Sequence, residues 1–406
     1  MVFKCQEDSF LKTFSTVVKS CKPVEVQIDG KAKKCFEVVL EDTIIFPEGG
    51  GQPSDIGYID QMKVLKMCRR GAEAVHYMDC SFREGNTASL EIDWETRFDH
   101  MQQHSSQHLI SAKLQQIYKF PTTSWSLNKD DTMVEFDISN TPKIDLLRLL
   151  SQLELAVNEE IKNNSPVKVT LFEPGDPGLQ KAVTRGLPAD HTGPIRVVSM
   201  VGDENMCCGT HIDTLSRLQM VKIVSIAPVK KKVQLRFVAG DRVLKDFNVR
   251  LARERNLSKL LQNGAADHEV VVSNLLKNSK LLEKNLKECS LEVASLMARE
   301  VKEQNPPPKF ICVHRKEDAN GFARVFLSEV GKDVIKLLTW GDEKGAGQMI
   351  FEGPEDVVAD LGPKICEILG GKGAARGGRF QGAVSALKNR PKATQLLSEH
   401  FELVQK

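Results

Sequence analysis

No stretch of eighteen or more apolar residues occurs in this chain of 406. A helix needs about that many to cross a bilayer, so no membrane-spanning helix is expected. The first residues, Met1-Val-Phe-Lys-Cys-Gln-Glu-Asp8, hold no apolar core before charge sets in, unlike a secretory leader. An excess of either charge is also missing: 56 Lys and Arg stand against 54 Asp and Glu, a net +2. The surface as a whole therefore has little pull on a polyanion, and any RNA contact must come from local clusters. The H-E-x-x-H pattern of helical zinc peptidases is absent too, which argues against that class of hydrolase. Cysteine is not scarce. Ten of them at unequal spacings, with no leader in front, read as reduced thiols rather than a disulfide framework, and the expected compartment is the reducing cytoplasm.

What is present is a set of soft-to-borderline metal donors in two halves. His104-Ser-Ser-Gln-His108 places two imidazoles one helical turn apart, so both face the same side. Cys207-Cys-Gly-Thr-His211 adds a thiol and a third imidazole. Three nitrogens and a sulfur suit Zn²⁺ better than Mg²⁺ or Ca²⁺. Cys208 offers a second thiol beside Cys207, and His100 lies one turn before His104 on the same face, so each is an alternative ligand. His191 is a further histidine that could lie near the site, though a surface or hydrogen-bonded role suits both it and His100 better.

The spacing of apolar residues gives an α+β protein in four parts. Residues 1–92 read as an N-terminal β-rich domain, a small barrel or sandwich, with strands at Val24–Ile28, Cys35–Leu40, Thr43–Phe46 and Ala88–Ile92. Residues 93–250 form an α+β domain around the metal ligands, with one helix from Trp94 to Tyr118, a second over Ile144–Val157 and a strand at Thr132–Phe136. Residues 251–305 read as a helical connector stopped by Pro306-Pro-Pro308. Its stripe of Val272, Leu275, Leu282, Leu286, Val293 and Leu296 suits packing on the body and a self-pairing coiled coil equally well. Residues 306–406 alternate strands, such as Phe310–Val313 and Val334–Leu338, with a helix near Glu355–Leu369, giving a C-terminal α/β domain.

Several stretches resemble, in order, the editing half of alanyl-tRNA synthetase: Phe46-Pro-Glu-Gly-Gly-Gly-Gln-Pro-Ser-Asp-Ile-Gly57, Arg97 to Leu109, Cys207 to His211, and Arg236-Phe-Val-Ala-Gly-Asp-Arg242. Gly370 to Gly382 resembles the glycine-rich segment of that synthetase's C-terminal domain. The resemblance leaves no room for an aminoacylation core, and the chain looks like the free-standing alanyl-tRNA editing proteins of the AlaX type, in the long form found in animals.

That resemblance implies a zinc-dependent hydrolase, with one Zn²⁺ per chain, that removes serine from mischarged tRNA(Ala). Such an activity is needed because a pocket built for alanine rejects an added hydroxyl poorly. It implies His104, His108, Cys207 and His211 as the zinc ligands, the family register selecting Cys207 over Cys208. Zinc can activate a water or hold the substrate, although four protein ligands normally make a closed structural site. Thr43 matches the residue suited to reading the serine hydroxyl, and Gln52 follows the triple glycine, which is otherwise a tight turn closed by Asp55. Thr123 and Ser124 fall where further pocket residues are expected. Lys372, Arg376 and Arg379, with Phe380 available for stacking, imply a tRNA-binding loop. The alternative reading is a zinc-stabilised tRNA-binding module without catalytic activity.

Overall fold

The computed structural model describes residues 2–28, 30–139, 145–183, 193–316, 319–343 and 345–403, so Ile144 and His191 lie outside the described residues. Two compact units divide the chain, Met1–Arg255 and Asn256–Lys406. The architecture is mixed α+β.

The first unit begins with a seven-stranded antiparallel sheet. Its organising element is the long strand Thr13–Ile28, whose first part pairs with Thr87–Ile92 and whose remainder pairs with Lys31–Leu40. Along Thr87–Ile92 the alternation expected of a half-buried strand is seen: Ala88, Leu90 and Ile92 face in, Thr87, Ser89 and Glu91 face out. The expected barrel does not close among the described residues. The edge strands Met62–Lys63 and Lys66–Arg70 are not paired with each other. The chain steps from one to the other through Val64 and Leu65, whose N–H groups bond Gly57 O and Tyr77 O at 2.9 Å each. A two-residue strand followed by so short a crossing leaves no length for a closing ladder.

Thr43–Phe46, expected as a strand, is instead a buried loop. Side chains satisfy its backbone. Phe46 N donates to Asp55 Oδ2 (2.6 Å), Ile45 N to Thr43 Oγ1 (3.1 Å) and Thr43 N to Asp42 Oδ1 (2.7 Å), while Ile44 O accepts from Arg97. With these partners supplied, an apolar run need not enter a ladder to be buried.

The histidine helix, Trp94–Lys113, is capped by Asp93, whose carboxylate accepts from Thr96 N at 2.8 Å. It continues through a π-helical turn, Leu114–Tyr118, and stops at Lys119 in the left-handed conformation. A four-stranded sheet, in the order Val221–Val229, Lys232–Ala239, Thr132–Asp137 and Thr122–Leu127, packs beside it. The second helix, Leu146–Asn163, starts at its cap Asp145 and buries Leu149, Leu153, Val157 and Ile161, spaced by four, in the same core. A three-stranded sheet of Lys168–Phe172, Ile195–Met200 and Asp203–Met206 delivers the chain to Cys207.

The segment expected as a helical connector holds parts of two helices. Asp241–Leu261 ends before Gln262 (φ 54°), Asn263 and Gly264, and His268–Glu303 follows. The second unit holds a five-stranded sheet in which Phe310–Arg315 and Ile335–Gly341 run parallel and the rest is antiparallel. Its glycine-rich segment is not a loop: Lys372–Arg376 and Arg379–Val384 form a β-hairpin at the sheet edge. Phe380 is buried in the core of this unit, against Gly362, so it is not presented for stacking as expected.

Candidate metal centre

On the helix Trp94–Lys113 the residues from His100 to Ile110 are all buried, although most are polar. The surrounding backbone makes this possible. Gln103 exchanges two bonds with Ala239, donating to its carbonyl (2.9 Å) and accepting from its N–H (3.1 Å), and Gln102 donates to Arg217 O at 2.8 Å. The helix is thereby fixed in rotation, with His104 and His108 facing the turn after Met206.

There the four expected donors meet. His104, His108, Cys207 and His211 have ligand atoms all within 4.8 Å of one another. His108 Nε2 lies 3.3 Å from His104 Nε2, and Cys207 Sγ lies 3.4 Å from His104 Nε2 and 3.3 Å from His211 Nε2. Metal–nitrogen bonds of about 2.0–2.1 Å and a metal–sulfur bond of about 2.3 Å in a tetrahedron put neighbouring donors roughly 3.3–3.6 Å apart. These three separations fit that geometry closely.

The second ring nitrogens are also engaged. His104 Nδ1 is 2.8 Å from Gln52 Oε1, and His211 Nδ1 is 3.0 Å from Ser105 Oγ. A ring whose Nδ1 carries the hydrogen-bonded proton turns an unprotonated Nε2 toward an ion. Burial, then the neighbouring His104 and His108, holds His211 well below the ordinary imidazole range, which keeps it in the neutral form that ligates. His100 is outside the cluster, and its buried Nδ1 has no hydrogen-bond partner among the described residues.

Gln52 is the link between the triple glycine and the histidines. Its amide is fully buried, donates to Thr210 Oγ1 at 2.8 Å and accepts from Thr210 N at 3.0 Å. The turn before it is closed by paired bonds between Gly49 and Gln52, with Gly50 and Gly51 at positive φ. A Cβ on Gly51 would stand 2.8 Å from the Trp125 ring, so only glycine lets the turn approach that indole. Trp125 in turn stacks on His104, centroids 4.5 Å apart. Spacing alone gave no sign of Trp125, because it reaches the site from the edge strand Thr122–Leu127.

Asp55 does more than close the turn. Its carboxylate receives Phe46 N and pairs with Arg97, and both side chains are fully buried. Arg97 also donates to Ser9 O at 2.9 Å. A second buried guanidinium, Arg196, donates to Cys207 O (2.8 Å) and Gln6 O (3.0 Å). Cys208 points the other way: its sulfur lies beside the space where a Cβ on Gly49 or Gly50 would stand, its carbonyl accepts from Gln6 at 2.7 Å, and burial raises its thiol pKa.

The remaining sequence candidates make their described hydrogen bonds to residues other than the four donors. Thr43 Oγ1 is 3.1 Å from His76 Nε2, and both line a cleft of about 160 Å³ that includes none of the four donors. Thr123 and Ser124 hydrogen-bond Glu135 Oε1 at 2.8 and 3.3 Å, and Lys232 pairs with the same carboxylate. In the second unit Lys372 and Arg376 are exposed on the edge hairpin, whereas Arg379 is paired with Glu352, which also pairs with the buried Lys336. No described helix is long and apolar enough to cross a membrane.

Residues 195–235, from the start of the strand Ile195–Met200 to the middle of Lys232–Ala239, match the family model described as the threonyl and alanyl tRNA synthetase second additional domain. Over the whole length, the chain is 41% identical to the alanyl-tRNA editing protein Aarsd1 of Danio rerio, covering 98% of each chain. It is 42% identical to Aarsd1 of Rattus norvegicus, again covering 98% of each. With the alanyl-tRNA editing protein AlaX-L of Pyrococcus horikoshii it shares 27% identity over 88% of this chain and 90% of that one. Matched along nearly its full length at this identity, the chain belongs to the alanyl-tRNA editing protein family.

Proposed function

We propose that this protein hydrolyses the ester joining serine to tRNA(Ala), in the cytoplasm, with one Zn²⁺ held by His104, His108, Cys207 and His211. The observation that carries the reading is the convergence of three imidazole Nε2 atoms and one thiol at separations suited to a tetrahedral ion, in a chain whose relatives are named for alanyl-tRNA editing. Soft-to-borderline N/S donors without a carboxylate favour zinc over the hard cations.

When bound, zinc supplies Lewis acidity toward the ester or its attacking water. The chain's own residues prepare the place. Gln52 and Ser105 fix the orientation of His104 and His211, Trp125 walls one face of His104, and Gly49 to Gly51 bring a turn against Trp125 and Cys208. For the serine hydroxyl the reading assigns Thr43, which keeps one acceptor lone pair beside its bonds to His76 and Ile45. Thr123 and Ser124, on the strand that carries Trp125 and held by Glu135, are assigned to the wall of the pocket. The exposed Lys372 and Arg376 are assigned to tRNA phosphates.

Four protein donors also favour a second reading, in which zinc is structural and the protein only binds tRNA. Deacylation of Ser-tRNA(Ala) and Ala-tRNA(Ala), each with and without chelator, separates the two. The first reading expects preferential loss of serine, abolished by chelation. Intact Ser-tRNA(Ala) in the presence of fully metal-loaded protein would leave only the second. A Thr43→Val variant tests the hydroxyl assignment, with the preference for serine expected to fall while metal content is unchanged.

A further inference from the structure

Ser9 stands 88 residues before Arg97 and 202 before His211, yet it is bonded to both. Its carbonyl accepts from Arg97 Nη1 at 2.9 Å, on the helix that carries His104 and His108. Its hydroxyl donates to Cys5 O (3.3 Å) and accepts from the backbone N–H of His211 (3.4 Å). One small residue thus ties together the two halves of the donor set.

Gln6 grips the Cys207–His211 turn at a second point. Its amide nitrogen donates to Cys208 O at 2.7 Å and its amide oxygen accepts from Phe3 N at 2.8 Å. Its backbone carbonyl accepts from Arg196, the guanidinium that also holds Cys207 O. Gln6 is 4% exposed and Ser9 8%, so water competes little for these bonds. The same segment reaches the Thr43 loop, Lys4 N donating to Asp42 Oδ1 (2.9 Å) and Cys5 N to Thr43 O (3.2 Å).

Little of this order is intrinsic. Lys4–Glu7 is a helix of four residues, far too short to persist in water by itself. What holds it is the burial of Phe3 and Cys5 in one apolar cluster with Val18, Val38 and Leu90 of the seven-stranded sheet, together with the hydrogen bonds to the metal turn.

We infer that, with the four donors read as a metal site, Phe3–Ser9 is a clamp whose docking sets the spacing of the two donor pairs, and that Gln6 and Ser9 are its positioning residues. A metal site needs its donors within about 0.2 Å of ideal distances. A turn released from partners on its carbonyl and N–H groups does not hold that tolerance. By linkage the coupling is reciprocal: what the clamp adds to metal affinity, bound metal adds to the stability of the clamp.

Zn²⁺ alone is the probe. Its affinity for the full chain, read by competition with a chromogenic chelator, should fall by about 10-fold in Gln6→Ala and in Ser9→Ala, with the circular dichroism spectrum intact. Gln6→Glu, whose carboxylate has no proton to donate to Cys208 O, should lose as much as alanine does. Glu7→Ala changes an exposed side chain of the same turn and should bind as wild type does. The unaltered chain supplies the converse measurement: zinc should slow amide hydrogen exchange at Cys5 to Asp8. Unchanged affinity in folded Gln6→Ala and Ser9→Ala overturns the inference, as does exchange in this segment that ignores zinc, or a loss in Glu7→Ala equal to the others. Should either alanine variant unfold, the exchange result decides. A wild-type chain that takes up no Zn²⁺ defeats the metal reading itself, an outcome distinct from all of these.

Discussion

His104 Nδ1 and Gln52 Oε1 lie 2.8 Å apart, so a residue of the glycine turn decides which imidazole nitrogen is left for a metal. Removing that acceptor frees the ring to rotate and to change tautomer. Gln52→Ala is expected to weaken zinc affinity by about 10–100-fold, read by competition with a chromogenic chelator. Unchanged affinity would show that His104 is held by packing on Trp125 alone.

The two adjacent cysteines should separate cleanly. Cys207→Ala removes a donor 3.4 Å from His104 Nε2 and 3.3 Å from His211 Nε2, so zinc content and deacylation are both expected to be lost. Cys208→Ala removes a thiol that faces Gly49 and Gly50 instead. Zinc stoichiometry near that of wild type is expected there, with at most a modest loss of stability. Equal zinc loss in both variants, with folding intact, would place the Cys208 thiol among the ligands.

Arg97 and Asp55 form an ion pair with no exposed side-chain surface. Asp55→Asn leaves the guanidinium buried without its counter-charge, and a loss of about 3–5 kcal/mol in urea unfolding is expected. Because Asp55 also receives Phe46 N, the same change should loosen the turn that carries Gln52.

His76 makes stability depend on pH. Burial lowers its pKa from the ordinary 6.5 to about 4, so the unfolded chain binds the proton first as pH falls. Stability therefore rises with pH across this window and declines from about 6.5 down to about 4, by roughly 3 kcal/mol for this one group. Unfolding free energies of wild type and His76→Asn, compared at the two ends, should show a shallower pH dependence in the variant. Parallel curves would mean that other groups dominate.

On the edge hairpin, Lys372 and Arg376 are exposed while Arg379 is paired with Glu352. Replacing Lys372 and Arg376 with alanine is expected to weaken tRNA binding and lower its salt slope by about 0.9 unit per lost phosphate contact, with a smaller effect from Arg379→Ala. Filter binding at several salt concentrations reads this, and an unaltered slope would remove the hairpin from the RNA surface.

The four donors were legible in the sequence because ligand chemistry and helical spacing are both local: His104 and His108 share a face wherever a helix runs. The break before Pro306 was legible for the same reason. Trp125, Ser105 and Arg196 were not, since each reaches its donor from a different element rather than along one helix, and only packing sets such distances. Nor could spacing decide between Cys207 and Cys208. Adjacent residues point in opposite directions here, and the direction is fixed by Arg196 holding Cys207 O and Gln6 holding Cys208 O.

Apolarity misled at Thr43–Phe46, where four residues of strand-like composition are buried as a loop because Asp42, Thr43, Asp55 and Arg97 satisfy their backbone. Phe380 misled in the opposite sense. Its basic and glycine neighbours suggested a surface loop, but a strand alternates its faces, and the side chain between Arg379 and Gln381 turns into the core. The sequence by itself determined which chemistry is available, three imidazoles and a thiol in reach of one another along two short segments. Tertiary structure decided which nitrogen each ring presents and which thiol faces inward, because those depend on contacts between residues that the sequence does not place together.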